Sequence, residues 1–83
     1  MRPIATRNPK TTPEQAAFNA ALGANIRRAR WARCLKQKDL ATAAGCWGPS
    51  LIRIEAGKQG VKSAVLLRIA AVLGMPPASL YPT

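Results

Sequence analysis

Residues that build catalytic and metal sites are scarce in this sequence. It contains no histidine, and aspartate and glutamate together number three among 83 residues. Such a set offers too few ligands for a zinc centre and no histidine base for a nucleophilic thiol. The three carboxylates are scattered along the chain, and no glycine-rich phosphate-binding loop is visible. We therefore expect no enzymatic activity, no metal site and no cofactor.

Cysteines and long apolar runs are scarce as well. Cys34 and Cys46 lie in helical patterns where a small apolar residue would serve, and we interpret both as free thiols in a reducing cytosol. No apolar run approaches the roughly 20 residues of a membrane span, and the N-terminus lacks the apolar segment of a signal peptide. The sequence thus predicts a soluble, cytoplasmic protein with no membrane-spanning segment.

Aromatic residues are also few, although the apolar content suffices for a core. They make up 5% of the chain, against 48% for all hydrophobic residues. Alanine-rich segments dominate over β-branched and aromatic runs, which favours an all-α fold. The length fits one compact domain. A domain of this size buries only about 60% of its unfolded surface, so a dimer partner would add useful apolar burial.

What the chain has in excess is positive charge. Thirteen lysines and arginines give a formal net charge of +10. Such an excess attracts polyanions, so nucleic acid, an anionic membrane surface and an acidic protein are all candidate partners. The basic and apolar residues do not segregate onto one long helix, which argues against a membrane-active peptide.

The N-terminal segment differs in composition from the rest. Residues 1–12 contain Arg2, Arg7 and Lys10 without apolar periodicity, and we predict a flexible basic arm there. The folded domain is then expected over residues 13–83. The cations of the arm could follow phosphates or enter a minor groove. A solubilising tail without function is the alternative.

The spacing of apolar residues and the residues at its N-terminus predict the first helix. Thr12 can cap it, with Pro13 at its first position and Gln15 three residues after the cap. One apolar stripe is expected to consist of Phe18, Leu22, Ile26 and Ala29. Gly23 weakens the middle of this helix, so the ordered part is expected to begin near Leu22.

Four further helices are expected, which makes five in total. The second covers residues 36–44 and ends at Gly45. The third carries Pro49 in its first turn and stops at Gly57. The fourth is capped by Ser63 and closes at Gly74, and residues 78–81 form a short final turn.

The second and third helices fit a helix-turn-helix unit at about residues 36–56. Ala41 is small where the two helices must cross, and Gly45 follows where the chain must reverse. The inward-facing positions that lock the pair are Leu40, Ala44, Cys46, Leu51 and Ile54.

From Leu22 to Tyr81 the sequence resembles the lambda-repressor-like (Cro-type, xenobiotic-response-element) helix-turn-helix family. The resemblance rests on four ordered blocks: Leu22-Gly23-x-x-Ile26-Arg27-x-x-Arg30, Leu35-x-Gln37-x-x-Leu40-Ala41-x-x-Ala44-Gly45, Ile54-Glu55-x-Gly57 and Leu66-x-x-Ile69-Ala70-x-x-Leu73-Gly74. It implies a five-helix DNA-binding domain whose third helix enters the major groove, with a homodimer on a palindromic operator. It also implies a transcription regulator, most often a repressor, of the phage, plasmid, restriction–modification or antitoxin type, acting at the bacterial nucleoid.

The resemblance assigns base contacts to the third helix. Arg53 is expected to face outward and bond guanine, with Ser50 as a second candidate whose alternative role is helix capping. The helix departs from the family pattern at Trp47, Gly48 and Pro49, where the family usually has polar base-reading residues, and at Ile52, which replaces a small polar residue. Trp47 and Ile52 could touch thymine methyl groups or sugars, or instead pack inside the protein or against a partner protein.

Phosphate contacts are expected on both sides of the third helix. The candidates are Lys36, Gln37 and Lys38 at the start of the second helix, and Lys58, Gln59, Gly60 and Lys62 in the following loop. An exposed Gln and a solvated basic loop without such contacts are the alternatives. The resemblance also implies that Gln37 braces the third helix, the recognition helix that enters the major groove.

Two structural roles complete the expectations. Arg30 and Glu55 match positions that form a partly buried ion pair between the first and third helices. Met75, Leu80 and Tyr81 are left over once the core is assigned, and are expected at a dimer interface, with Phe18 and Trp31 as further candidates. Single exposed apolar residues are the ordinary alternative. The Trp47-Gly48-Pro49 stretch and Ile52 also suit a different class of function, a protein-interaction module with weak or non-specific DNA binding.

Overall fold

A computed structural model describes residues 12–82 as four α-helices and one final 3-10 turn, with no strand in that range. The elements are α1 (Pro13–Ala32), α2 (Gln37–Ala43), α3 (Gly48–Glu55), α4 (Ser63–Leu73) and the turn Pro77–Ser79. The predicted all-α class is confirmed. The predicted basic arm lies, apart from Thr12, outside the described residues. No helix within residues 12–82 has the length and apolar character needed to cross a membrane.

Helix α1 starts as the sequence indicates and then runs further than expected. The Thr12 hydroxyl accepts a hydrogen bond of 3.0 Å from the backbone N–H of Gln15, which caps the helix. The helix continues unbroken through Gly23 to Ala32. The expectation that order begins near Leu22 is therefore wrong. Gly23 is buried, and its lack of a side chain lets α1 approach α3 closely.

The core is shared by all four helices. From α1 it takes Leu22, Ile26 and Ala29, while the predicted fourth member of that stripe, Phe18, is exposed. The remaining core residues are Leu40, Ala41, Ala44, Leu51, Ile54, Leu66, Ile69, Ala70, Leu73 and Leu80. Packing contacts join α1 to α3, α2 to α3 and α4, and α4 to the final turn. Helix α3 is thus held from two sides.

The fifth predicted helix is a single 3-10 turn. Pro76 and Pro77 restrict the backbone here, and only three residues keep helical geometry. Leu80 follows and is 0% exposed, and its carbonyl oxygen accepts a 2.8 Å hydrogen bond from the Asn25 amide nitrogen. The chain after α4 is therefore tied back to α1.

The start of α4 differs from the expectation in one detail. Ser63 is its first residue rather than its cap, and Lys62 occupies the cap position without a side-chain hydrogen bond. The predicted reversal at Gly45 is present, with a φ of 65°.

Candidate nucleic-acid interface

A buried ion pair fixes the C-terminal end of α3 to α1. Arg30 donates from Nε to Glu55 Oε2 at 2.7 Å and from Nη2 to Oε1 at 2.8 Å. Arg30 also donates from Nη1 to the Leu35 carbonyl at 3.0 Å. Hydrogen bonding to the carboxylate raises the pKa of Arg30 above its ordinary value, against an opposing effect of burial. The two-pronged geometry fixes the orientation of α3 as well as its distance.

Two further side chains hold the same end of α3. Gln37, at the start of α2, donates from Nε2 to Glu55 Oε1 at 3.1 Å. Arg27 of α1 donates from Nη1 to the Glu55 carbonyl at 3.3 Å. The brace that the resemblance assigned to Gln37 is thus present in the structure. Its predicted contact with a phosphate stays a prediction.

The opposite face of α3 is open to solvent. Leu51, Ile54 and Glu55 point inward, while Pro49, Ile52 and Arg53 are exposed at helical spacings of three and four. Neither apolar departure from the family pattern packs into the core. Ile52 is 54% exposed, and Trp47, which precedes the helix, is 67% exposed.

Arg53 lies along this outer face. Its guanidinium stands over the Trp47 ring, 5.9 Å from the centroid, and its Nη1 donates to the Pro49 carbonyl at 3.4 Å. Both contacts involve the N-terminal part of α3, the end that base-reading helices commonly present to DNA. An arginine placed here keeps most of its five N–H donors for a ligand.

On one flank of α3, residues of α2 that are predicted to contact phosphates lie beside exposed apolar residues of α3. Gln37 and Lys38 border a shallow groove of about 170 Å³, whose other walls are Gly48, Pro49 and Ile52. Lys36, immediately before α2, is exposed beside this flank. A cation therefore stands next to the outer face of α3 on this side.

The other flank of α3 faces the loop that leads to α4. A groove of about 440 Å³ is bordered by Trp47 and Ser50 on the α3 side and by Gln59, Gly60 and Lys62 on the loop side. The residues that cap α3 and α4 both border this groove, and neither makes a side-chain cap bond. Helix N-termini without caps have backbone N–H groups to offer, which suits an anionic ligand.

The loop after α3 rests on α1. Gly57 has a φ of 77°, and a Cβ there would lie 2.7 Å from the Ala20 Cα, so glycine allows both the turn and the close approach. The backbone N–H of Lys58 donates to the Arg53 carbonyl at 2.9 Å, and the Lys58 side chain is exposed. The position of the predicted phosphate loop is therefore fixed by α1 and α3.

The predicted dimer residues do not form one surface. Leu80 is buried in the core, so assigning it to a dimer interface does not agree with the structure. Met75 is half-buried and packs against the core. Tyr81 is exposed, and its ring centroid lies 6.0 Å from that of Phe18. Trp31 is exposed on α1, where Arg27 stacks over it.

Several arginines that resemble solvated charges in sequence are structural. Arg33 bonds the Leu73 carbonyl at the end of α4 and the Ala29 carbonyl at 3.1 Å. Arg68 of α4 donates from Nε to the Ala44 carbonyl at 2.8 Å, at the end of α2. No local pattern marks the contacts with the Leu73 and Ala44 carbonyls, because each joins residues distant in sequence. Cations near a helix C-terminus are stabilised by its last carbonyl groups.

Comparison with known proteins agrees with this geometry. A family described as helix-turn-helix domain matches residues 21–80. The restriction-modification controller protein C.AhdI from Aeromonas hydrophila has a similar structure, with a TM-score of 0.76 and 28% identity over 78% of this chain and 98% of that chain. The clp gene regulator ClgR from Corynebacterium glutamicum also has a similar structure. Its TM-score is 0.74 and its identity 28%, over 76% of this chain and 67% of that chain.

A third structure supports the fold alone. The hypothetical transcription factor NHTF from Neisseria has a TM-score of 0.75 and 22% identity, covering 94% of this chain and 90% of that chain. No curated protein sequence matches the chain significantly. The family match covers most of the chain, and the similar structures include a restriction-modification controller and a gene regulator. The chain therefore belongs to the helix-turn-helix domain family, a family of DNA-binding proteins rather than enzymes.

Proposed function

We propose that this protein is a sequence-specific regulator of transcription, a repressor that binds a palindromic operator as a homodimer. One observation carries the proposal: the inner face of α3 is locked by Arg30, Glu55 and Gln37, while its outer face is open and has cations on both flanks. This is the arrangement that a helix needs in order to enter a major groove. The relation to a restriction-modification controller and a gene regulator supports it.

The proposed mechanism is that the bound dimer occupies a site within a promoter. The exposed lysines at the flanks, Lys36, Lys38, Lys58 and Lys62, would hold the sugar-phosphate backbones while Arg53 and its neighbours contact bases. A dimer would place two copies of α3 about 34–36 Å apart, one helical turn of DNA. Bound at such a site within a promoter, it would block polymerase. We place this activity in the cytoplasm of a bacterial cell, at the nucleoid.

Selection from random duplexes followed by sequencing tests the proposal. We expect an enriched palindrome whose two halves are one helical turn apart. If each protomer contacts about four phosphates, the slope of log affinity against log salt should be near −7. An enriched site without two-fold symmetry would contradict the dimer, and a slope near zero would contradict DNA binding altogether.

The predicted phosphate contacts give a quantitative test. Lys58→Ala should weaken binding to all sequences alike and reduce the magnitude of the salt slope by about 1 per protomer, because one counterion fewer is released. Arg28→Ala is the matched control, since Arg28 is an exposed cation outside the two grooves that flank α3. Because Arg28 borders Tyr81, the dimer content of this variant is compared with that of the parent by sedimentation equilibrium. Fluorescence anisotropy at several salt concentrations measures both. Equal slopes for the two variants would remove Lys58 from the interface.

The exposed pair Phe18 and Tyr81 is the candidate dimer surface. Tyr81→Glu should shift sedimentation equilibrium towards the monomer, since it places a charge in an apolar contact. Leu67→Glu serves as the control, because Leu67 is also an exposed apolar residue but lies on α4. Equal association of both variants and the parent would mean that the dimer uses another surface.

A second candidate function is a protein-interaction module that has weak or non-specific DNA binding. The exposure of Trp47 and Ile52 favours it, because aromatic and apolar groups are typical anchors of protein interfaces. An acidic protein would suit the charge of the domain. Weak binding without any enriched sequence would support this candidate over the regulator.

A further inference from the structure

The outer face of α3 carries few groups that can hydrogen-bond to base edges. Pro49 and Ile52 occupy it beside Arg53, and Trp47 stands at its N-terminal end. Only Arg53 and the half-buried Ser50 offer polar side chains there. Readout by hydrogen bonds would therefore depend on very few contacts. The exposed apolar groups must either meet water or meet an apolar part of the ligand.

The shape of this face favours an apolar ligand group. Gly48, Pro49 and Ile52 form the apolar walls of the shallow groove of about 170 Å³ on the α2 side of α3. Gln37 and Lys38 close the rim. The groove therefore combines an apolar interior with a cation at its edge, which is what a base edge close to a phosphate requires. In the major groove, the apolar group that a base edge presents is the C5-methyl of a pyrimidine.

We propose that this groove receives the C5-methyl group of a pyrimidine, next to a guanine that Arg53 reads. The inference rests on the DNA binding proposed above and adds to it the chemical class of the preferred base step. Ile52 and Arg53 are both exposed within one turn of α3, so we expect their contacts to fall on base pairs close to each other. Arg53 is already held along that face by Trp47 and the Pro49 carbonyl. Thymine and 5-methylcytosine both supply the methyl group.

The first experiment removes the methyl group and nothing else. In the selected site, each thymine is replaced in turn by deoxyuridine, which keeps the O4 acceptor and the pairing with adenine. We expect one position per half-site, beside the guanine, to lose roughly four-fold in affinity, the effect of one buried methyl group. At the same position, a duplex with a 5-methylcytosine–guanine pair should bind more tightly than a duplex with a cytosine–guanine pair. Comparison of the thymine duplex with the 5-methylcytosine duplex then identifies which of the two bases is the preferred source of the methyl group.

The second experiment assigns the effect to the groove. Ile52→Ala removes one wall, so the ratio of affinities for thymine and deoxyuridine at that position should fall from roughly four towards one. The matched control is Leu67→Ala, because Leu67 on α4 is 57% exposed against 54% for Ile52. We expect this control to keep the ratio. Both side chains are exposed, so unfolding midpoints should stay close to that of the parent.

Two results would overturn the inference. One is an enriched site at which no thymine is sensitive to loss of its methyl group. The other is a methyl effect that Ile52→Ala leaves unchanged. If selection enriches no sequence at all, the regulator proposal itself fails, so the two failures can be told apart.

Discussion

Glu55→Ala is expected to lower the free energy of unfolding by about 3–5 kcal/mol, because it leaves Arg30 buried without its counter-charge. Glu55 accepts both prongs of Arg30 and the amide of Gln37, so one substitution removes three hydrogen bonds. A small domain has only about 5–15 kcal/mol of stability, and such a loss should bring it close to unfolding. Urea denaturation followed by circular dichroism measures the change.

Two further variants distinguish the effect of breaking the buried ion pair from the effect of removing any one carboxylate. Glu14→Ala removes an exposed carboxylate in the first turn of α1 and should change stability by less than about 1 kcal/mol. The double variant Arg30→Met with Glu55→Leu replaces both charges by apolar groups and should recover much of the loss. If Glu55→Ala unfolds at the same urea concentration as Glu14→Ala, the ion pair has no role in holding α3.

Elements with a regular apolar period could be predicted from the sequence closely. Helix α4 ends at Leu73 as its stripe indicates and begins at Ser63, one residue before the predicted start, since the period of an amphipathic helix is a local property. The same holds for the cap at Thr12. The pairing of Arg30 with Glu55 is different, because it joins distant positions. Only the resemblance to a known family pointed to it.

The errors arise where distant parts of the chain meet. Leu80 follows two prolines and has no apolar period, yet it is buried in the core, and its carbonyl accepts a hydrogen bond from Asn25. Arg33 and Arg68 bond carbonyl groups of other helices, which no spacing rule marks. The 3-10 turn Pro77–Ser79 does not continue as a helix, and Pro82 shortly after it has no N–H to donate to a further helical turn.

The candidate site also has one part that the sequence predicts and one part that it does not. The outward position of Arg53 follows from the periodicity that buries Leu51 and Ile54. The groove beside Ile52 could not be inferred from periodicity, because its walls come from both α2 and α3. Sequence reasoning therefore named most residues of the surface while leaving its shape undetermined. It marked Gly48 and Pro49 as departures from the family pattern, and not as walls of a groove.

Gly23 shows how tertiary packing overrides local propensity, and Gly23→Ala is expected to cost about 3 kcal/mol of stability. By propensity alone the substitution would favour the helix by about 1 kcal/mol. An alanine Cβ at this position would lie 2.1 Å from the Ile54 carbonyl oxygen and 3.0 Å from that of Glu55. Both atoms are backbone and cannot rotate away. Helix α1 would have to withdraw from α3, which would also stretch the ion pair that orients the recognition helix.

Gly48→Ala is the matched control for this prediction, because a Cβ at Gly48 meets no atom within 4 Å. It should unfold within about 0.5 kcal/mol of the parent. Thermal and urea unfolding of the two variants should therefore diverge, although each adds one methyl group to a helical glycine. A Gly23→Ala protein as stable as Gly48→Ala would show that α1 and α3 do not approach as closely as described, and the fixed orientation of α3 would lose its physical basis.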